Sequence, residues 1–195
     1  MRLEAMARAW RFGVIVTGAL LAGTGALPGP AVAQPPADPN AFHEVTETFK
    51  DWKLYCQVWS APKRLECELG SKPGSDRRSR LVWLRSSERW LDGLRFRLDD
   101  AGMDLGKKLR VWVDRSVFRP EFPCQPFPFE SNTCAISDPA TNEKLVEKLL
   151  SGKEVSAVGT SPAGTKSEIR FSLNGFKAAV ERMEQIRREA GGAWM

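Results

Sequence analysis

The chain has 195 residues, 29 lysines and arginines against 24 aspartates and glutamates, four cysteines, one histidine and 42% apolar residues. That length and balance fit one domain and exclude collagen, a coiled coil and a polytopic membrane protein. A single imidazole, His43, also excludes any mechanism that needs two.

Arg2, Arg8 and Arg11 precede an apolar run from Phe12 to Leu27, which ends in Pro28-Gly29-Pro30 and then Ala31-Val32-Ala33. A basic start, an apolar centre and a small-x-small end predict a signal peptide over 1–33, cleaved after Ala33. The run contains four glycines and is shorter than the roughly 20 apolar residues of a spanning helix. Met6 is an alternative start, because the segment from it keeps two arginines and the whole apolar run. No cysteine adjoins the cleavage point, so no acceptor for an N-terminal lipid is present there. All four cysteines lie in the exported part. Export and an even count together predict two disulfides.

Residues 34–48 (QPPADPNAFHEVTET) mix Pro, Asp, Asn and Thr without apolar periodicity and read as a flexible lead-in. The folded domain is expected over 49–190. Short segments rich in Trp, Val, Leu and Phe, separated by Gly, Pro, Ser and Asp clusters, predict strands at about 51–59, 65–70, 80–85, 94–99 and 108–114. Alternation assigns their faces: Leu94, Phe96 and Leu98 oppose Arg95, Arg97 and Asp99, and Leu109, Val111 and Val113 oppose Arg110, Trp112 and Asp114. A short helix is predicted over Thr141–Leu150, stopping at Ser151-Gly152. Strands at about 154–159 and 167–172 follow. The chain closes on an amphipathic helix whose stripe is Phe176, Ala179, Val180, Met183 and Ile186, with Ser172 or Asn174 available as its cap. The fold class is mainly β, a sandwich or barrel with two helices.

Cys56 and Cys67 fall on two strands joined by Ser60-Ala61-Pro62-Lys63. Pairing them in an antiparallel hairpin sets Val58 opposite Leu65 and Leu54 opposite Leu69 on one face, and Gln57 opposite Glu66 and Tyr55 opposite Glu68 on the other. A slip by one residue would turn every apolar side chain outward, so the hydrophobic pattern supports the bridge independently of the cysteine count. Cys124 and Cys134 bracket a segment whose two prolines, Pro126 and Pro128, argue against a regular ladder; a disulfide closes it into a loop. Neither pair has the C-x-x-C spacing of redox or zinc motifs.

The stretch Phe49-Lys50-Asp51-Trp52-Lys53-Leu54-Tyr55-Cys56, the cysteine at 67, the later cysteine pair, the helix end Leu149-Leu150-Ser151-Gly152 and the segment Phe171-Ser172-Leu173-Asn174-Gly175-Phe176 carry a likeness. Together they resemble the invasion-associated locus B family of exported alphaproteobacterial proteins, over about Phe49 to Met183. The chain departs from the family's usual pattern in a longer second cysteine loop and a less hydrophobic, less glycine-rich middle from Leu91 to Lys108. The resemblance implies an immunoglobulin-like β-sandwich in the periplasm or cell envelope, with founding members linked to host-cell entry. It implies no catalytic residues.

Few residues offer reaction chemistry. His43 lies in a polar, proline-containing stretch ahead of the first predicted strand, a poor place to hold a catalytic base. Asp99, Asp100 and Asp104 lack the offsets of a calcium loop and read as turn residues. The segment 159–164 (GTSPAG) lacks the lysine of a phosphate-binding loop. No cofactor or metal is expected.

Two surfaces are candidates for binding. Arg77-Arg78-Ser79-Arg80 forms a basic cluster, and Arg95, Arg97 and Arg110 are assigned to one outer face with Trp112, where an anionic lipid or polysaccharide would find bidentate donors and a stacking ring. The second is the loop holding Phe122, Phe127 and Phe129, stiffened by Pro123, Pro126 and Pro128 and tied at Cys124 and Cys134. The expectation is therefore a non-enzymatic exported protein that binds an envelope component or partner protein, with nucleic acid excluded by export. A periplasmic enzyme built on acidic residues is the alternative.

Overall fold

A computed structural model of the protein describes residues 42–191 apart from 61–62, 87, 89–91, 100–101, 128–129 and 137. The expected signal peptide over 1–33 and residues 34–41 of the expected lead-in lie outside them, as do Asp100 and Phe129. In chain order the elements are β1 (Phe42–Phe49), β2 (Trp52–Ser60), β3 (Lys63–Ser71), β4 (Arg80–Ser86), β5 (Gly93–Arg97), β6 (Lys108–Val113), β7 (Glu121–Pro123), β8 (Gln125–Phe127) and β9 (Glu130–Ala135). Then come α1 (Pro139–Ser151), β10 (Glu154–Thr160), β11 (Lys166–Ser172) and α2 (Phe176–Glu189). Two antiparallel sheets result, a seven-stranded one in the order β1-β2-β3-β4-β5-β9-β8 and a four-stranded one in the order β11-β10-β6-β7. This is a β-sandwich with a short helix and a C-terminal helix.

The hairpin register follows the cysteines. Cys56 pairs with Cys67, Val58 with Leu65 and Leu54 with Leu69, while Gln57 meets Glu66 and Tyr55 meets Glu68. Cys56 and Cys67 are bonded and buried on the inner face. Leu94, Phe96 and Leu98 on the larger sheet and Leu109, Val111 and Val113 on the smaller one are all buried. Phe96 meets Phe171 across the interior at 6.0 Å between ring centroids. The smaller sheet has fewer strands than the larger, and α2 covers strands at the β1 end: its buried stripe of Phe176, Ala179, Val180, Met183 and Ile186 meets β1, β2 and β3. Asp138 caps α1, accepting from the Thr141 backbone N–H at 2.8 Å and its hydroxyl at 2.6 Å.

Three expectations need correction. Residues 42–48 are not a flexible lead-in, because Phe42–Phe49 is a strand registered along its whole length with β2. It is an edge strand, exposed enough to carry Thr and Glu, with only Val45 and Phe49 packed on the core. The second cysteine loop does carry a ladder: Gln125 pairs with Ala135 and Pro126 with Cys134, and the register then shifts between Pro126 and Phe127, a bulge that accommodates the proline. Finally, neither Ser172 nor Asn174 caps α2. Its cap is Gly175, with φ of 95° and no side-chain bond.

That glycine belongs to a clasp between the two sheets. Asp51 and Trp52, at the β1–β2 turn, face the segment Ser172–Phe176 that leaves β11. The Asp51 N–H donates to the Asn174 carbonyl at 3.1 Å, the Ser172 hydroxyl donates to the Asp51 carboxylate at 2.8 Å, and the Trp52 indole N–H donates to the Ser172 carbonyl at 3.0 Å. The Trp52 ring, fully buried, packs on Phe176 at 4.7 Å. A Cβ on Gly175 would sit 2.0 Å from the Phe49 carbonyl oxygen, so close approach as well as positive φ demands glycine here.

Candidate functional site

The outer face of the seven-stranded sheet is a charge network at its β3–β9 side. Alternation sends Glu68, Val82, Arg95 and Arg97 to the face opposite the core, and Arg97 stands between two carboxylates: it bonds both oxygens of Glu68 at 3.2 Å and both of Glu130, at 3.0 and 3.2 Å. Thr133 adds a bond to Glu130 at 2.8 Å. Burial pushes the Glu130 carboxyl up, but the bonds from Arg97 and Thr133 outweigh it and hold the group below its usual range.

Arg95 was expected in solvent and is instead only 4% exposed, beside a Val82 that is 0% exposed. Burial works against its charge, and Glu130, Glu68 and Asp92 work for it. The centre of this face is thus buried, with Arg97 between the Glu68 and Glu130 carboxylates.

Arg110 and Trp112 do not share that face. They lie on β6 of the other sheet, so the expected single surface of Arg95, Arg97, Arg110 and Trp112 is in fact two. The error has a simple origin: alternation fixes which side of its own sheet a residue occupies but not which sheet a strand joins. Arg110 is engaged by Glu121 on the neighbouring β7, through Nε at 3.0 Å and through Nη2, and these bonds hold the Glu121 carboxyl below its ordinary value. Arg119 lies over the Trp112 ring at 5.0 Å.

Of the phenylalanine loop, Phe122 is paired opposite Leu109 and packs against the core, half-buried. Phe127 is described through its backbone pairing with Glu130, while its side chain and all of Phe129 lie outside the described residues. Cys124 and Cys134 are bonded, fastening the start of this segment to β9. His43 is an exposed residue of β1, opposite Val58. Asp99 and Asp104 serve turns: the Asp99 carbonyl accepts from Gly102 and Met103, and the Asp104 carboxylate accepts from the Gly106 N–H at 2.9 Å. Among the described residues no group of acidic, histidine or cysteine side chains could hold a metal ion, and no helix is long and apolar enough to cross a membrane.

Two features escaped the sequence reading. At the β1 end of the outer face, Phe42 is 45% exposed and meets Trp59 in a tilted ring contact at 5.2 Å, with the Arg64 guanidinium 4.0 Å over the Trp59 ring. Trp59 and Arg64 are cross-strand partners, so the cysteine register contained that contact, whereas Phe42 was hidden with the unrecognised first strand. The other is a cleft of about 400 Å³ lined by Arg78, Arg80, Arg97, Asp99, Ser131 and Asn132. Its far wall is β9, which the prolines of the loop had concealed.

No protein-family model matches the chain, and no curated protein matches it in sequence. Among solved structures it is similar to invasion associated protein B from Bartonella henselae, at 18% identity and a TM-score of 0.57, over 74% of this chain and 98% of that one. At this identity the likeness is one of fold. The two disulfides, joining all four cysteines, fit an oxidising, exported setting.

Proposed function

We propose that the protein is an exported, non-enzymatic component of the cell envelope that acts by binding through its surface. The observation that carries this reading is the Phe42–Trp59–Arg64 group: an exposed ring, a second ring and a guanidinium in contact on a disulfide-tied hairpin. Aromatic and arginine anchors on a rigid support are the composition of interface hot spots, because little ordering entropy is left to lose on docking. The outer-face carboxylates support the same reading, since Glu68 and Glu130 are both taken up by hydrogen bonds from Arg97.

The fold-level likeness to an invasion associated protein makes contact with a host cell a candidate setting, with a cleaved signal peptide as the route out. The segment from Phe122 to Phe129 is a second candidate surface. The proposed partner is an envelope component or another protein, and export disfavours nucleic acid.

A periplasmic enzyme using acidic residues is the alternative, and Asp92 is what favours it, because partial burial pushes its carboxyl above the ordinary value. Its neighbour, however, is Arg85 at 3.4 Å, not a second carboxyl. Photoreactive residues at Phe42 and at Phe127, with Arg110 as a control position, decide the matter in intact cells. One defined partner captured from Phe42 or Phe127 is the expected result; diffuse labelling from all three positions would overturn the binding reading.

A further inference from the structure

The cleft between the β3–β4 connection and β9 has donors that the fold does not use. Its floor is a transverse row in which Arg80 on β4 is registered opposite Arg97 on β5, and Arg97 opposite Thr133 on β9. Two guanidiniums directly opposite one another repel, and such a pair persists where carboxylates compensate it. Here the compensation is one-sided. Glu68 and Glu130 are both committed to Arg97, whereas Arg80 donates to the Ser71 carbonyl at 3.2 Å and has no carboxylate within ion-pair distance among the described residues.

The second arginine is presented by a locked turn. The Asp76 carboxylate accepts from the backbone of Arg78 at 3.2 Å and of Ser79 at 3.1 Å, and the Ser79 hydroxyl in turn accepts from the Asp99 N–H at 2.8 Å. This fixes the backbone below Arg78, whose side chain is 70% exposed and reaches Asp99 with a single contact at 3.4 Å. A guanidinium has five N–H donors, so both Arg78 and Arg80 keep most of theirs for the cleft. On the opposite wall Ser131 and Asn132 are exposed, and the Asn132 carbonyl is used by the Leu98 N–H at 2.9 Å, which pins β9 in place without consuming either side chain.

We infer that this cleft binds the phosphate-monoester group of a small ligand, with Arg78 and Arg80 as bidentate donors and Ser131 and Asn132 completing the shell from β9. Several diverging oxygens suit donors that converge from two walls better than the two coplanar oxygens of a carboxylate do. A cleft of about 400 Å³ holds the phosphate together with the glycerol or sugar that carries it. The inference rests on the reading of the protein as a binder, and it names a ligand class at a place distinct from the Phe42 group. The phosphate can come from a membrane lipid or from a soluble ester, and the chemistry is the same for both.

Titration of the purified protein with glycerol 3-phosphate, followed by backbone amide shifts, tests the soluble source. Cosedimentation with vesicles containing phosphatidic acid, against vesicles of phosphatidylcholine alone, tests the lipid source. The expected result is saturable binding in at least one arm, with the largest shifts at residues 78–80 and 131–132 when the soluble ester binds. Arg78→Gln and Arg80→Gln should each weaken binding about tenfold, the loss of one charge-assisted contact, and Arg110→Gln on the other sheet should leave it unchanged. Binding in neither arm, or binding that Arg110→Gln weakens as much as Arg80→Gln, would overturn the assignment. Capture of a partner at Phe42 alongside that failure would leave the binder reading standing and remove only the cleft.

Discussion

The clasp at Asp51–Trp52 and the cleft at Arg78–Arg80 both lean on the β3–β4 connection, yet they treat polar groups in opposite ways. In the clasp, the Asp51 carboxylate takes the Ser172 hydroxyl and the Lys72 ammonium at 2.9 Å, the Lys72 N–H donates to the Asp51 carbonyl at 2.7 Å, and the indole N–H is satisfied too. In the cleft, guanidiniums end in open space with one backbone acceptor or one long ion pair each. A closed set of bonds between distant segments adds stability, while open donors on fixed backbone add none and remain available for a ligand. Asp51-Trp52 and Ser172 to Phe176, far apart in the sequence, meet in the clasp and join the two sheets.

The clasp is most sensitive at Gly175. Gly175→Ala places a Cβ against the Phe49 carbonyl and forces a residue with a side chain to φ of 95°, so a loss above about 3 kcal/mol is expected. Urea unfolding measures it, with a fall in midpoint and little change in slope. An unchanged midpoint would mean that the clasp does not hold the β1–β2 turn against α2. Removing the hairpin bridge comes next. Cys56→Ala with Cys67→Ala should cost about 2–3 kcal/mol, because the closed loop is short and the sulfurs are buried. The same double change at Cys124 and Cys134 gives an internal reference with nearly equal sequence separation.

A smaller effect distinguishes the clasp by its pH dependence. Hydrogen bonds from Lys72 and Ser172 hold the Asp51 carboxyl below its usual range. A depressed carboxyl contributes stability above its unfolded value, near 3.9, and loses it as pH falls through the folded value. Asp51→Asn should therefore cost about 1 kcal/mol at neutral pH and almost nothing in strong acid. Unfolding midpoints of both proteins, measured from pH 6 downward, should converge. Parallel curves would show that the aspartate's charge is not what the clasp uses.

The two regions were also unequally legible in the sequence. The hairpin register could be read because two cysteines and four apolar residues agreed on one face, and a slip would have exposed them all. The clasp was visible as motif residues but not as a contact, since nothing local says that positions 51 and 172 meet. The cleft was half visible: Arg78 and Arg80 stood out as a basic cluster, whereas Ser131 and Asn132 lay in a segment that Pro126 and Pro128 made look irregular. Edge strand β1 was missed for a related reason. With only Val45 and Phe49 packed on the core, its alternation is diluted by Thr and Glu, and the proline-containing stretch before it dominated the composition.

The smallest expected effect is the most discriminating for the cleft. Arg78→Gln and Arg80→Gln should each change stability by no more than about 0.5 kcal/mol, because their contacts are exposed or made to a single backbone oxygen. Arg97→Gln, one residue deeper in the same row, should cost about 1 kcal/mol, since it leaves Glu68 and Glu130 facing each other without their shared counter-ion. Thermal unfolding of the three variants orders them. If Arg80→Gln proved as costly as Arg97→Gln, the guanidinium at 80 would be a structural member of the row. If removing Arg80 instead stabilised the protein, relief of repulsion from Arg97 would be the cause, and the fold would be holding that arginine against its own stability, as expected of a residue retained for a ligand.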